Sequence, residues 1–167
     1  MKPEVTIRRF LDRDFAALQE IYQQGIDTGH ATFETRAKSR EEWFNSTYDH
    51  CRLVATMSSR VVGWAALSPV SARNVYRGVA ELSVYVAGDS IGRGVGNALM
   101  GDLVHCAESN HMWMLQASVF PENSASIALH KRHGFRQVGV REKIAQQHGK
   151  WRDTVLLERR SKVVGVD

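Results

Sequence analysis

Apolar positions recur with a period near two in some stretches of the chain and near 3.6 in others, which separates candidate strands from candidate helices. Val5 to Phe10 reads as a strand. Asp12 then offers an N-cap for a helix from about Arg13 to Tyr22, with Phe15, Leu18, Ile21 and Tyr22 on one face. A loop rich in Gly and Thr follows, from Gly25 to Arg36. Ser39-Arg40-Glu41-Glu42 has the Ser-x-x-Glu spacing of a capping box, in which the hydroxyl and the carboxylate each satisfy a backbone N–H. It predicts a second helix through Trp43, Phe44 and Tyr48. Arg52 to Met57 and Val61 to Leu67 read as a strand pair joined across Ser58-Ser59-Arg60, a hairpin signal whose turn lacks Gly or Asn.

The second half repeats the alternation of element types. Val79 to Val86 is β-rich, and a Gly-rich break leads into a helix reaching about Asn110. Its apolar positions Val95, Leu99 and Leu103, with Met100, Val104 and Ala107, fall at three- and four-residue intervals, as packing on a sheet requires. Met112 to Phe120 reads as a buried strand and Asn123 to His133 as a helix ended by Gly134. Phe135 to Arg141 and Thr154 to Arg159 read as closing strands. The order β α α β β β α β α β β predicts an α/β fold: one mixed sheet of about seven strands with helices on both faces. No linker or internal repeat is visible, so residues 1–167 read as one domain, with a loose tail from about Lys162. Arg159, Arg160 and Lys162 read as a solvated strand end.

Composition narrows the function. A chain of 167 residues, 43% hydrophobic and 24% charged, can bury the core of one globular domain. A formal charge of +4, scattered along the chain, argues against nucleic acid and suits a small phosphate-bearing ligand. No apolar run reaches the roughly 18 residues that would cross a membrane, and the start lacks a signal-peptide core, which makes the cytoplasm the expected compartment. Cys51 and Cys106 are far apart and in no Cys-x-x-Cys arrangement, so they are expected as reduced, buried thiols. The histidines His30, His50, His105, His111, His133 and His148 show no ligand-like pairing, and no metal is expected.

The chemistry concentrates in two segments. The strand Glu81-Leu82-Ser83-Val84-Tyr85-Val86 runs through Gly92-Arg93-Gly94-Val95-Gly96-Asn97 into a helix. Glycines let the backbone approach a ligand, and successive N–H groups at a helix start suit a pyrophosphate. The turn lacks the Gly-Lys-Ser/Thr of a P-loop, and Asn97 stands where a Rossmann fingerprint needs its third Gly. Alone, it is equally readable as a tight strand-to-helix connection. The second segment is Asn123-Ser124-Ala125-Ser126-Ile127-Ala128-Leu129-His130-Lys131-Arg132-His133-Gly134-Phe135. Together the two resemble the acetyl-CoA core of GNAT acetyltransferases. Thr32-Phe33-Glu34-Thr35, Ala72 to Tyr76, Ala80 to Val86 and Gly149 to Asp153 are similar to the phosphinothricin and methionine sulfoximine acetyltransferase branch, extending the resemblance over nearly the whole chain.

The resemblance implies acetyl-CoA as cosubstrate, with Val84, Tyr85 and Val86 against its pantetheine arm. It puts the amides of Gly92, Arg93, Gly94, Val95, Gly96 and Asn97 on the pyrophosphate, and Asn123 and Ser126 at further cofactor contacts. Ile91 stands where such turns usually begin with Arg or Gln, and His130 where many members carry Tyr. Thr32, Phe33 and Glu34, with Arg73, Asn74, Val75 and Tyr76, are implied to line a pocket for a small amino-acid-like acceptor. Glu81 is the implied base, Glu34 its rival, and His130 assists thiolate departure or orients substrate. Direct transfer in a ternary complex is expected, since neither Cys stands beside a matched position. The branch tends to homodimerise, and the apolar residues of Trp151 to Leu157 could contribute an interface. A peptide or protein N-terminal acetyltransferase and a non-catalytic acyl-CoA-binding module are the alternatives.

Overall fold

The computed structural model describes residues 3–167. Seven strands form one sheet: β1 (Thr6–Arg9), β2 (Leu53–Met57), β3 (Arg60–Pro69), β4 (Val79–Val86), β5 (Met114–Val119), β6 (Arg136–Gln147) and β7 (Lys150–Arg160). Their spatial order is β1-β2-β3-β4-β5-β7-β6. Four helices accompany them: α1 (Phe15–Asp27), α2 (Arg40–Ser46), α3 (Val95–Ser109) and α4 (Ser124–Arg132). Both the mixed α/β class and the element order agree with the sequence pattern.

The sheet divides the core in two. On one face Leu99, Met100 and Leu103 of α3 pack on Ala65, Leu67 and Leu115. On the other, Leu18, Ile21 and Tyr22 of α1 and Trp43 of α2 pack on Val54, Trp64 and Ala66. The alternation of β3 sends successive residues to opposite cores, and both cores are covered because the helices lie on both faces.

Every neighbouring pair of strands is antiparallel except β4 and β5. Strand β4 pairs with β3 from Pro69↔Ala80 to Gly63↔Val86. Its parallel pairing with β5 covers only Val79↔Met114, Ala80↔Leu115 and Glu81↔Gln116. Beyond Glu81 the two strands part, and β5 goes on to pair with β7 as far as Val119↔Val155.

Local chemistry explains most boundaries. The capping box at Ser39 is present: Glu42 N–H donates to Ser39 Oγ at 3.2 Å and Ser39 N–H to the Glu42 carboxylate at 2.7 Å. Helix α1 starts later than expected, because Asp12–Asp14 forms a 3-10 turn and buried Asp14, not Asp12, organises the entry. The Asp14 carboxylate accepts from Leu11 N–H at 2.7 Å and is forked by Arg8 at 2.7 and 2.9 Å. The β2–β3 turn places Ser58 and Ser59 both in the left-handed region, at φ 49° and 65°, the conformation of a two-residue hairpin turn more often filled by Asn and Gly.

Three expectations change. Strands β6 and β7 run on to Gln147 and back from Lys150, closing over His148 (φ 50°) and Gly149 (φ 76°). The extension carries mostly exposed residues, so no apolar alternation announced it; backbone pairing sustains it. Cys51 and Cys106 are joined as a disulfide with Cα atoms 5.7 Å apart, not held as reduced thiols. Packing of α3 across the sheet brings together two positions 55 residues apart, a proximity that spacing rules do not register. Finally, the basic C-terminal cluster is engaged: Arg159 pairs with Glu108 at 2.9 Å, and Arg160 donates to the Val164 carbonyl at 2.8 Å, holding the tail.

Candidate active site

The gap between β4 and β5 opens into a cleft of about 1110 Å³. Just past the end of β4, Ala87 N–H donates to the Val62 carbonyl at 2.8 Å. Main-chain groups of alternate residues point to opposite edges of a strand, so Val84 and Val86 direct their N–H and C=O into the gap while Tyr85 directs its own toward β3. Glu81, Ser83 and Tyr85 share the other alternation of side chains, and all three line the cleft. Glu81 sits at the last paired position, where the strands begin to part.

Tyr85 stacks on Trp64 with ring centroids 4.9 Å apart and lies 4.9 Å from Tyr22. Burial, with smaller contributions from neighbouring groups, raises its pKa far above the ordinary tyrosine value, which keeps the phenol protonated. Its side chain is therefore part of the wall. Gly25 of α1 is needed beside it: a Cβ there would stand 2.7 Å from the ring.

Helix α3 meets the cleft with its N-terminus. Gly94 is its N-cap at φ 85°, a conformation that favours glycine, and no side chain caps the helix. The first intrahelical bond joins Ala98 N–H to the Gly94 carbonyl at 3.0 Å. The amides of Val95, Gly96 and Asn97 thus lack helical partners and face the positive end of the helix dipole. Val95, 1% exposed, anchors the turn in the core. Added Cβ atoms at Gly92 or Gly94 would meet nothing within 4 Å, leaving open space above the turn, whereas one at Gly96 would press on Leu129 at 3.3 Å. Arg93 and Ile91 are exposed, and Asn97 is held by His133 Nε2 at 2.8 Å.

Helix α4 supplies the opposite wall. Asn123 caps it by accepting from Ser126 N–H at 3.2 Å, and its Nδ2 reaches the His30 carbonyl at 3.3 Å. His130 is 5% exposed and lines the cleft. Its Nδ1 lies 2.6 Å from the Ser126 carbonyl, which can only accept, so Nδ1 carries the proton. Nε2 is left with a lone pair, buried and without a hydrogen-bond partner. Burial pushes the His130 pKa below the ordinary histidine value; the Ser126 carbonyl opposes this and His133 adds to it. The imidazole is neutral and presents an acceptor.

The remaining wall is the irregular segment 28–36. Thr32, Phe33 and Glu34 line the cleft, with Phe33 edge-on to Phe120 at 4.9 Å. Glu34 is exposed and pairs with Lys38 at 3.4 Å. Arg73, Asn74, Val75 and Tyr76 lie apart from these residues: they form an exposed 3-10 turn outside the cleft, with the Arg73 guanidinium 5.5 Å from the Tyr76 ring. Sequence reasoning missed Gln147, Arg152 and Thr154. Thr154 lines the cleft with a buried, unpartnered hydroxyl. Nothing local marks these three: Gln147 and Arg152 take partners in the distant segment 28–36, and Thr154 enters the cleft only through the assembled sheet.

Unpartnered amides at a helix start, a strand edge freed where a parallel pair parts, and a neutral imidazole between them suit acyl transfer from a phosphate-bearing thioester. The chain belongs to the GNAT acetyltransferase family: the acetyltransferase (GNAT) domain matches residues 7–156. It is 35% identical over 162 residues to a phosphinothricin N-acetyltransferase from Alcaligenes faecalis, covering 92% of this chain and 81% of that protein. A GNAT superfamily phosphinothricin acetyltransferase from Sinorhizobium meliloti, crystallised in complex with acetyl-CoA, superposes with a TM-score of 0.88 at 28% identity, covering 98% and 91% of the two chains. A ribosomal-protein-alanine N-acetyltransferase from Brucella melitensis superposes with a TM-score of 0.85 at 29% identity, covering 93% and 99%. The protein is an acetyltransferase.

Proposed function

We propose that the protein transfers an acetyl group from acetyl-CoA directly to the α-amino group of a small amino acid or analogue, of the phosphinothricin or methionine sulfoximine and sulfone type. The observation that carries the acceptor class is segment 28–36, tied down as one wall of the cleft, a fixed boundary that suits a small acceptor better than a peptide. Acetyl-CoA supplies the activated thioester. The amides of Val95, Gly96 and Asn97 at the start of α3 would hold its pyrophosphate, and the gap-facing main chain of Val84 and Val86 its pantetheine arm. Val84 N–H is the donor placed to polarise the thioester carbonyl.

Glu81, directly or through a water, takes the proton that the α-ammonium must lose. His130 enters as an acceptor: its Nε2 lone pair orients the ammonium or receives its proton, and only a proton so acquired is available to the departing sulfur. Direct transfer agrees with the cysteines being joined in a disulfide whose residues do not line the cleft.

A homodimer is part of this reading. Val138, Val140, Ile144 and Trp151 on the β6–β7 hairpin are exposed, and β6 is an open sheet edge. Val155 and Leu157 are buried in this chain's own core, so the interface would draw on the outer hairpin. Arg73 to Tyr76, outside their own cleft, would reach an acceptor only across such an interface. Among the described residues no helix is long and apolar enough to cross a membrane.

Thiol release from acetyl-CoA, measured against phosphinothricin, methionine sulfoximine, methionine sulfone, ordinary amino acids and peptides, tests the assignment. Turnover with the first three is expected. Activity confined to peptides would overturn the acceptor class, and absence of any amine-dependent turnover would overturn the assigned reaction.

A further inference from the structure

Segment 28–36 contains no helix or strand, yet it forms one wall of the cleft; some of its N–H groups are satisfied locally, those of His30 and Glu34 by the Thr28 and Thr32 hydroxyls, while several of its carbonyls find partners elsewhere. Three carbonyls in it accept from side chains far along the chain. The Gly29 carbonyl accepts from Arg152 Nη1 at 2.5 Å, the His30 carbonyl from Asn123 Nδ2 at 3.3 Å and the Thr32 carbonyl from Gln147 Nε2 at 2.9 Å. Arg152 also donates to the Gln147 side-chain oxygen, which fixes the orientation of that amide, and its Nη2 approaches His30 Nδ1 at 3.2 Å and the Glu122 carboxylate at 3.2 Å. The guanidinium lies 3.7 Å from the centroid of the Phe120 ring, and Phe120 in turn backs Phe33.

We infer that Arg152 is a positioning residue for the acceptor: it clamps segment 28–36 against the turn end of the β6–β7 hairpin and so sets the wall formed by Thr32, Phe33 and Glu34. This rests on the reading above, in which that wall faces the amine. Four of the five guanidinium donors are committed within the protein and the side chain is 14% exposed, so Arg152 is spent on the wall and does not itself grip substrate. Glu122 supplies the countercharge that lets the cation lie there. Lysine keeps the charge but cannot reproduce the planar fork that joins Gly29, Gln147 and His30.

The test compares Arg152→Ala, Arg152→Lys and Gln147→Ala with the native protein, using phosphinothricin as acceptor and amide hydrogen exchange over residues 28–36. Arg152→Ala should speed exchange in that segment and raise the KM for phosphinothricin by roughly tenfold, with kcat and the KM for acetyl-CoA changed by no more than about twofold, the pattern of lost acceptor binding. Gln147→Ala should show a smaller change of the same kind, and Arg152→Lys should recover part of the loss. Unchanged exchange in all three variants would overturn the clamp. Faster exchange accompanied by a raised KM for acetyl-CoA in place of phosphinothricin would overturn the acceptor assignment of the wall while leaving the clamp standing. Should Arg152→Ala fail to fold, Gln147→Ala and Arg152→Lys decide the matter alone.

Discussion

The two sides of the cleft are built differently. The side formed by β4 and the start of α3 comes from one contiguous stretch, Glu81 to Asn97, whose strand, glycine turn and helix each follow from residues within a few positions of one another. The other side is irregular chain, segment 28–36, held by side chains 93, 115 and 123 residues away. One side offers main-chain amides that any folded copy of the motif would present. The other has a shape that depends on the assembled sheet.

Removing the disulfide tests whether the α3 side is stiff by itself. Cys51→Ala with Cys106→Ala should lower unfolding free energy by roughly 2–4 kcal/mol, since the link closes a loop of 55 residues. Turnover at 25 °C should stay nearly unchanged, because neither residue lines the cleft. Denaturant unfolding and steady-state rates check the two halves of this statement, and a large loss of kcat would show that the link positions the α3 turn.

Glu81 stands at the junction of the two sides. Glu81→Gln should lower kcat by about 10²-fold or more if this carboxylate is the base, with coenzyme A affinity by calorimetry unchanged. Equal loss in Glu34→Gln and none in Glu81→Gln would move the base to the acceptor wall.

His130 bears on the pH dependence. Its folded-state pKa lies below 6.5, so it is neutral at pH 7 and becomes protonated only as pH falls beneath that value. The sign is fixed: below 6.5 the unfolded chain binds this proton more readily than the native one, so the stability linked to His130 is complete above 6.5 and lost as pH falls through the folded value. Activity should decline over the same window as Nε2 loses its lone pair. His130→Asn should lower kcat by roughly tenfold and remove the histidine component of this acid limb from the pH–rate profile. A limb that persists unaltered would assign it to another group.

The smallest effect sharpens the comparison most, because Asn123 touches both the α4 cap and segment 28–36. Asn123→Ala should cost about 1 kcal/mol of stability through the lost cap. Its kinetic signature separates two roles: a rise in the KM for phosphinothricin marks the contact to His30, a rise in the KM for acetyl-CoA marks a cofactor contact.

Much of this was present in local patterning. Periodicity yielded the element order, the Ser39 box marked the start of α2, and the glycine turn leading into Val95, Leu99 and Leu103 marked the start of α3. These features depend on backbone preference and nearest neighbours along the chain, which sequence carries directly. Tertiary structure decided the rest. It joined Cys51 to Cys106, sustained an exposed β6–β7 extension that has no apolar alternation, buried His130 with its Nδ1 proton committed to Ser126, and turned Arg73 to Tyr76 away from the cleft of their own chain. It also gave Gln147 and Arg152 their partners in segment 28–36. Such outcomes depend on which distant segments the sheet brings within hydrogen-bond reach, a distance in space that separation along the chain does not encode.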